Sequence, residues 1–339
     1  MKQAKLNRSI EENQKSASSR RDSGEFVRGI SKFRNILGSN NFLVEPDRYH
    51  VFVALNCPWC HRVTLARNIL GLQKSITMDV VFPNRTGESD LEGPNQWQFA
   101  PKRIASITGE PLPECTAERA TGKQLEFIRD IYAAEGSEER SVPILYDKKN
   151  CRIVSNESAE ILRMLNKSAE ALGSSLSKQN QFDLYPNNNV IRSQINDLND
   201  LIYVAINNGA YKAGFSTDQK IYENAFTTYF EALTYLNDKL SDGRSFLTGE
   251  DFTEADLRLY PTLYRHDPIY YLRMKLNGAM IYNYPFLWRW LCRVYAMPTV
   301  PKSSSMIHCQ QGYFGRSWNN VVPLGPLIPM RYPEIYEHP

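Results

Sequence analysis

Cys57 and Cys60 stand three residues apart in Asn56-Cys57-Pro58-Trp59-Cys60-His61-Arg62, and a thiolate is a strong nucleophile near neutral pH. Three chemistries use this spacing. A dithiol exchanges disulfides. Cys-x-x-Cys-His is the attachment pattern of c-type haem. A pair of cysteines is half of a zinc site. Haem attachment requires export, and the first residues hold no apolar signal core. Zinc requires two more ligands at suitable spacing, and none stands out. His61 reads as a structural helix residue rather than an acid–base group. Thiol chemistry at Cys57 is the reading that remains.

The neighbouring elements support it. Tyr49-His50-Val51-Phe52-Val53-Ala54-Leu55 is rich in β-branched and aromatic residues and reads as a buried strand. Beyond the cysteines, Val63, Ala66, Ile69 and Leu70 recur at helical spacing and Gly71 marks an end, which predicts a helix over 58–71. Cys57 therefore lies where a strand gives way to a helix, with Pro58 suited to the first turn. Unpaired N–H groups at that point favour negative charge, and a thiolate supplies it.

Downstream, a second strand is expected over 76–82, a Gly/Pro/Asn-rich loop over 83–122 and a short helix over 123–134. Strands over 141–147 and 151–154 follow, then a helix over 157–166 opened by Ser155-Asn156-Glu157-Ser158. This order predicts a mixed sheet of four strands. After a polar stretch, segments 188–207, 218–240, 253–274 and 284–296 all show apolar helical periodicity. Thr253-Glu254-Ala255-Asp256 has the form of a capping box with Asp in the usual Glu position. The fold class is α/β followed by all-α. The expected division is an N-terminal arm over 1–47, an α/β domain over 48–170, a linker over 171–187, a helical domain over 188–300 and an extension over 301–339 that wraps the surface. Residues 1 to about 22 are expected to be disordered.

Composition narrows the partners. Forty basic against 37 acidic residues give a net charge of +3, which offers no reason to expect nucleic acid or an anionic membrane. No run approaches the roughly 18 apolar residues of a membrane-spanning helix. Six cysteines in a long chain without a secretory signal are expected to be reduced, and the protein to be cytoplasmic.

The strand, Cys-Pro-Trp-Cys and helix, the later Val142-Pro143 and the Glu157-Ser158 pair resemble the thioredoxin fold of glutathione transferases and glutaredoxins. The chain resembles most the xi-class glutathione transferases, the glutathionyl-hydroquinone reductases. Matching runs include Trp97-Gln98-Phe99, Ser141-Val142-Pro143, Asn207-Asn208-Gly209-Ala210-Tyr211-Lys212-Ala213-Gly214-Phe215, Arg265-His266-Asp267-Pro268-Ile269-Tyr270 and Val294-Tyr295-Ala296-Met297-Pro298. The resemblance implies a thioredoxin-like domain, a helical bundle, a cleft between them and a homodimer. It implies glutathione as cosubstrate and no metal.

It also implies a reaction. The Cys57 thiolate attacks the sulfur of a glutathionyl-hydroquinone, the hydroquinone leaves, and a second glutathione frees Cys57 as glutathione disulfide. Glutathione would be held by Trp97, Val142, Glu157 and Ser158, with Arg140 a candidate for its glycine carboxylate. Tyr203 and Tyr295 would hold the hydroquinone. The proline after Val142 is expected to be cis and to lie against Cys57. Where the family usually has Ala, this chain has Cys60, a candidate resolving thiol. The competing readings are a glutaredoxin-like oxidoreductase or dehydroascorbate reductase using Cys57 and Cys60, and a binding protein that has lost turnover.

Overall fold

A computed structural model describes residues 19–20, 23–84, 96–176, 182–315, 321–326 and 330. The expectation of disorder before residue 22 and part of the expected 83–122 loop lie outside the described residues. Ser19–Arg20 (β1) is an exception: it pairs antiparallel with Phe26–Val27 (β2).

The first half of the chain is built on four strands: β3 (Tyr49–Val53), β4 (Thr77–Val80), β5 (Ile144–Asp147) and β6 (Arg152–Ser155). Their order across the sheet is β4-β3-β5-β6. β3 and β4 run parallel, with Val51 opposite Met78, while β3–β5 and β5–β6 are antiparallel. This is the expected mixed sheet, with the expected thioredoxin-like topology. Every residue of β3 is buried, as an uninterrupted apolar strand in the middle of a covered sheet should be.

Between the strands lie α1 (Pro58–Ile69) and α2 (Ile128–Ala133), and α3 (Ser158–Ser168) follows β6. α1 is buried nearly all round, Arg62, Thr64 and Arg67 included, because it is packed between α3 and a helix of the second half. The arm is ordered along β6: the Asn35 N–H donates to the Val154 carbonyl and the Asn156 N–H to the Phe33 carbonyl, each at 3.0 Å.

The second half is helical: α4 (Asn189–Leu201), α5 (Asn208–Phe215), α6 (Gln219–Lys239), α7 (Glu254–Arg265) and α8 (Pro285–Ala296). The capping box is present, the Asp256 carboxylate accepting the Thr253 N–H at 3.0 Å. The same carboxylate takes the Trp290 indole N–H at 2.8 Å, so one buried Asp ties α7 to α8.

Two departures from the sequence reading bear on the site. The helix expected to stop at 207 continues through a π-helical turn, Ile202–Asn207, into α5. A second π turn, His266–Tyr270, extends α7. Such wide turns insert an extra residue and re-aim side chains. Further, the expected surface-wrapping extension contains a helix, α9 (Met306–Phe314), that buries His308, Cys309, Gln311 and Phe314. Its proline and glycine content suggested irregular chain, yet Cys309 and Phe314 join the main core. Gly312 is needed there: a Cβ on it would fall 2.2 Å from the Asn56 amide.

Candidate active site

Cys57 is the N-cap of α1, extended at φ −78° and ψ 123°, with Pro58 as the first helical residue. The residue is half-buried. Its thiol donates to the Val142 carbonyl at 3.8 Å, and the Val142–Pro143 peptide is cis, so the expected contact between these two segments is present. Burial pushes the Cys57 thiol up. The Cys60 thiol, the backbone N–H groups of Cys60 and Trp59 and the charge of Arg265 outweigh it and bring the group down to about 6. Those N–H groups belong to the first turn of α1, whose donors favour negative charge at its start.

Cys60 is fully buried, and its sulfur accepts the Ala54 N–H at 3.3 Å. Burial first, and then the neighbouring Cys57, push its thiol well above the ordinary range. The two thiols thus differ sharply: one is poised to ionise and reachable, the other is protonated and enclosed.

Arg265, the last residue of α7, organises the loop ahead of Cys57. Its guanidinium donates to the Asn56 carbonyl at 3.1 Å, the Leu55 carbonyl at 3.0 Å, the Pro261 carbonyl at 2.8 Å and His61 Nδ1 at 2.9 Å. With Nδ1 accepting, His61 carries its proton on Nε2 and donates to the Ser304 hydroxyl at 3.1 Å. Burial, and then the Arg265 charge, hold His61 well below its ordinary pKa. His61 is therefore a neutral structural group. Arg265 belongs to one of the matched runs but has no role in the sequence reading. The available signal is a cation in phase with the apolar residues Leu257, Pro261 and Tyr264 of its helix.

Glu157 is the N-cap of α3 and accepts the Ala159 N–H at 3.1 Å, with Ser158 as the first helical residue. Its second oxygen takes the hydroxyl of Ser31, in the arm, at 3.0 Å. The carboxylate is thus oriented from two sides, and α3 presents its N-terminus beside it. An ammonium group and a carboxylate are the ligand charges that such a pair accepts.

Two guanidiniums lie over the Trp59 ring, Arg28 of the arm at 4.1 Å and Arg62 of α1 at 4.5 Å from the ring centre. Arg62 is buried and bonded to Asn207. Burial, and then the Arg258 charge, lower its pKa to about 9. Tyr203, in the first π turn, meets Trp59 ring to ring at 6.1 Å, and its side chain is over a third exposed. Tyr211, in α5, also meets Trp59 ring to ring, at 6.3 Å. Its hydroxyl lies 2.9 Å from that of Tyr313 in α9, which lies 3.1 Å from Tyr270. Arg28, Tyr211 and Tyr313 are contacts of the cleft that sequence reasoning did not assign.

Cys57, Cys60 and Val142 come together at one point, and Tyr203 joins the adjoining Trp59 platform. Tyr295 stacks on Tyr264 at 6.3 Å, and the Tyr264 ring meets that of His61 edge to face at 5.7 Å. Trp97 is buried, its carbonyl accepting the Ile128 N–H at 3.0 Å. Arg140 is exposed, next to Ser141. Binding roles for Trp97, Arg140 and Tyr295 rest on the family resemblance. Among the described residues no group of three or more metal-ligating side chains is assembled, and no helix is long and apolar enough to cross a membrane.

Comparison with known proteins gives a consistent picture. Two family models match: "Glutathione S-transferase, N-terminal domain" over residues 56–168 and "Glutathione S-transferase, C-terminal domain" over residues 219–293. The chain is 38% identical over 314 residues to the glutathionyl-hydroquinone reductase YqjG of Escherichia coli, a match covering 89% of this chain and 88% of that one. It is 33% identical to the glutathionyl-hydroquinone reductase PcpF of Sphingobium chlorophenolicum, over 91% of both. The fold superposes on the glutathione-S-transferase Xi of Phanerochaete chrysosporium with a TM-score of 0.81 at 34% identity, covering 93% of this chain and 96% of that chain. It superposes on the glutathione-bound structure of YqjG with a TM-score of 0.76 at 35% identity, covering 88% and 94%.

Proposed function

This chain belongs to the xi class of the glutathione transferases, and from that membership we propose that it reduces glutathionyl-hydroquinones to hydroquinones with glutathione, through Cys57. The observation that carries the reading is the state of Cys57: half-exposed at the start of α1, against Val142, and low enough in pKa to be a thiolate at neutral pH.

The thiolate attacks the sulfur of the glutathionyl group, forming a Cys57–glutathione disulfide. The electron pair of the carbon–sulfur bond passes to the aromatic ring, which gains a proton and leaves as hydroquinone. A second glutathione thiolate attacks the mixed disulfide, freeing Cys57 and giving glutathione disulfide. Val142 offers its backbone to the tripeptide, as an added strand does. Glu157 holds the free ammonium, and Ser158 with the N-terminus of α3 holds the adjoining carboxylate. Trp97 covers the tripeptide and Arg140 takes its glycine carboxylate. Tyr203 and Tyr295 hydrogen-bond the quinol oxygens as charge develops on the ring.

The reading extends to a cytoplasmic homodimer, with the chain divided at about 48–170 and 188–300. Its support is the family resemblance. The test is incubation of the purified protein with a menadione–glutathione adduct and free glutathione, following quinol and glutathione disulfide together. Both are expected to appear in equal amounts and to vanish in Cys57→Ser. Quinol release by Cys57→Ser would overturn the assignment.

A further inference from the structure

The reaction above leaves Cys60 unused, although it lies one helical turn from the nucleophile. We infer that Cys60 is a resolving thiol: it attacks the Cys57 sulfur of the Cys57–glutathione disulfide, an internal Cys57–Cys60 disulfide forms, and glutathione leaves. The step rests on the mixed disulfide of the proposed function. It balances without any further reagent, since the Cys60 proton ends on the departing glutathione thiol. Two further glutathiones then return the pair to dithiol and release glutathione disulfide.

Placement supports this. Residues three apart on a helix are side-chain neighbours, about 5–6 Å between Cβ atoms, and a disulfide needs about 3.5–4.5 Å. In the structure the two thiols already meet: the Cys57 sulfur lies against the Val142 carbonyl and shares a hydrogen bond with the Cys60 thiol. Access is asymmetric. Cys57 is half-buried and open to glutathione, whereas Cys60 is fully buried, so an external disulfide meets Cys57 first. An enclosed thiol beside an accessible one is suited to attack the sulfur of its neighbour.

Electrostatics supplies the timing. After burial, what holds the Cys60 thiol protonated is Cys57, through hydrogen bond and charge. Glutathionylation turns the Cys57 thiolate into a neutral disulfide and removes that opposition. The Arg265 charge, which favours a Cys60 thiolate, remains. Cys60 thus becomes easier to ionise only once Cys57 is loaded. Before loading, its S–H group helps hold Cys57 as the thiolate.

The experiment uses the full chain with Cys115 and Cys151, the other two thiols that are not fully buried, changed to Ser. The reduced protein, stripped of small thiols, is mixed with glutathione disulfide alone, which loads Cys57 without any quinol. Free glutathione is counted and the Cys57 peptide is mapped by mass spectrometry. The parent is expected to release two glutathiones per chain and to end with a Cys57–Cys60 disulfide. Cys60→Ser and Cys60→Ala should release one and keep glutathione on Cys57. A parent that stops at one glutathione with Cys57 still loaded overturns the inference and leaves the reductase reading standing. No release from any of the proteins overturns the Cys57–glutathione intermediate and this inference together, while quinol release in the earlier assay is scored separately.

Discussion

Arg265 donates to the carbonyl of Asn56 at 3.1 Å, from the end of α7 to the residue immediately before the nucleophile. The helical half of the protein therefore fixes the loop that aims Cys57, and the charge of the same guanidinium favours the thiolate.

Changing Arg265 separates these two effects. Arg265→Lys keeps a charge but cannot fork across the Leu55 and Asn56 carbonyls. Its turnover is expected to fall roughly tenfold or more while Cys57 remains easily ionised. Arg265→Met loses both. Each change leaves buried carbonyls without a donor, costing about 1–3 kcal/mol per group, visible as a lower urea midpoint. Wild-type turnover by Arg265→Lys would mean that the fork does not position the loop.

Thiolate chemistry sets the pH profile. With Cys57 at about 6, against an ordinary 9.0, alkylation by iodoacetamide should reach half its maximal rate near pH 6 and level off above pH 7. Peptide mapping isolates Cys57 from the other thiols. Half-maximal alkylation near pH 9 would show that the helix start, Cys60 and Arg265 do not tune this sulfur.

Tyr203 tests the quinol pocket. Tyr203→Phe keeps the ring against Trp59 and removes the hydroxyl. Its kcat/KM for a glutathionyl-hydroquinone should fall about tenfold, the worth of one hydrogen bond to developing charge. Cys57 alkylation should not change. Equal efficiency in both proteins would remove Tyr203 from the pocket.

Acid stability follows from His266. Its Nδ1 accepts from Tyr229 at 2.7 Å and its Nε2–H donates to the Ala279 carbonyl at 3.0 Å, so the folded state holds it neutral. Burial lowers it from 6.5 to about 4. A depressed histidine contributes stability above its unfolded pKa and loses it as pH falls toward the folded value. The unfolded chain binds the extra proton between pH 6.5 and about 4, and stability should drop by roughly 3 kcal/mol across that window. Urea midpoints at pH 7, 5.5 and 4.5 measure it, and His266→Gln should flatten the slope. An unchanged slope in that variant would assign the loss to other groups, His61 foremost.

The layout of the first half was legible because strand and helix patterns are local. β3, α1, β6 and α3 lie close to where periodicity and caps placed them, and Cys57 and Glu157 are the N-caps of α1 and α3. What escaped was non-local. Nothing in the spacing around Arg265 announces that it reaches across to residues 55 and 56. Ser31 bonds Glu157 from 126 residues away, and only the fold brings them together. Tyr313 lay in a stretch whose composition suggested irregular chain, although apolar contacts with the core make it helical. The π turn at Tyr203 was hidden because Ile202-Tyr203-Val204-Ala205-Ile206 is apolar at every position, so the shift in phase leaves no mark on the pattern.

The Arg265 fork also bears on how such a protein can change over evolutionary time. A sheet domain whose reactive loop is held by a side chain from the helical domain is not an independent cassette. Recombination that pairs it with a foreign helical partner would inherit the cysteine and lose the brace. Divergence of the two halves must therefore keep step at this contact, even where the rest of each surface drifts freely.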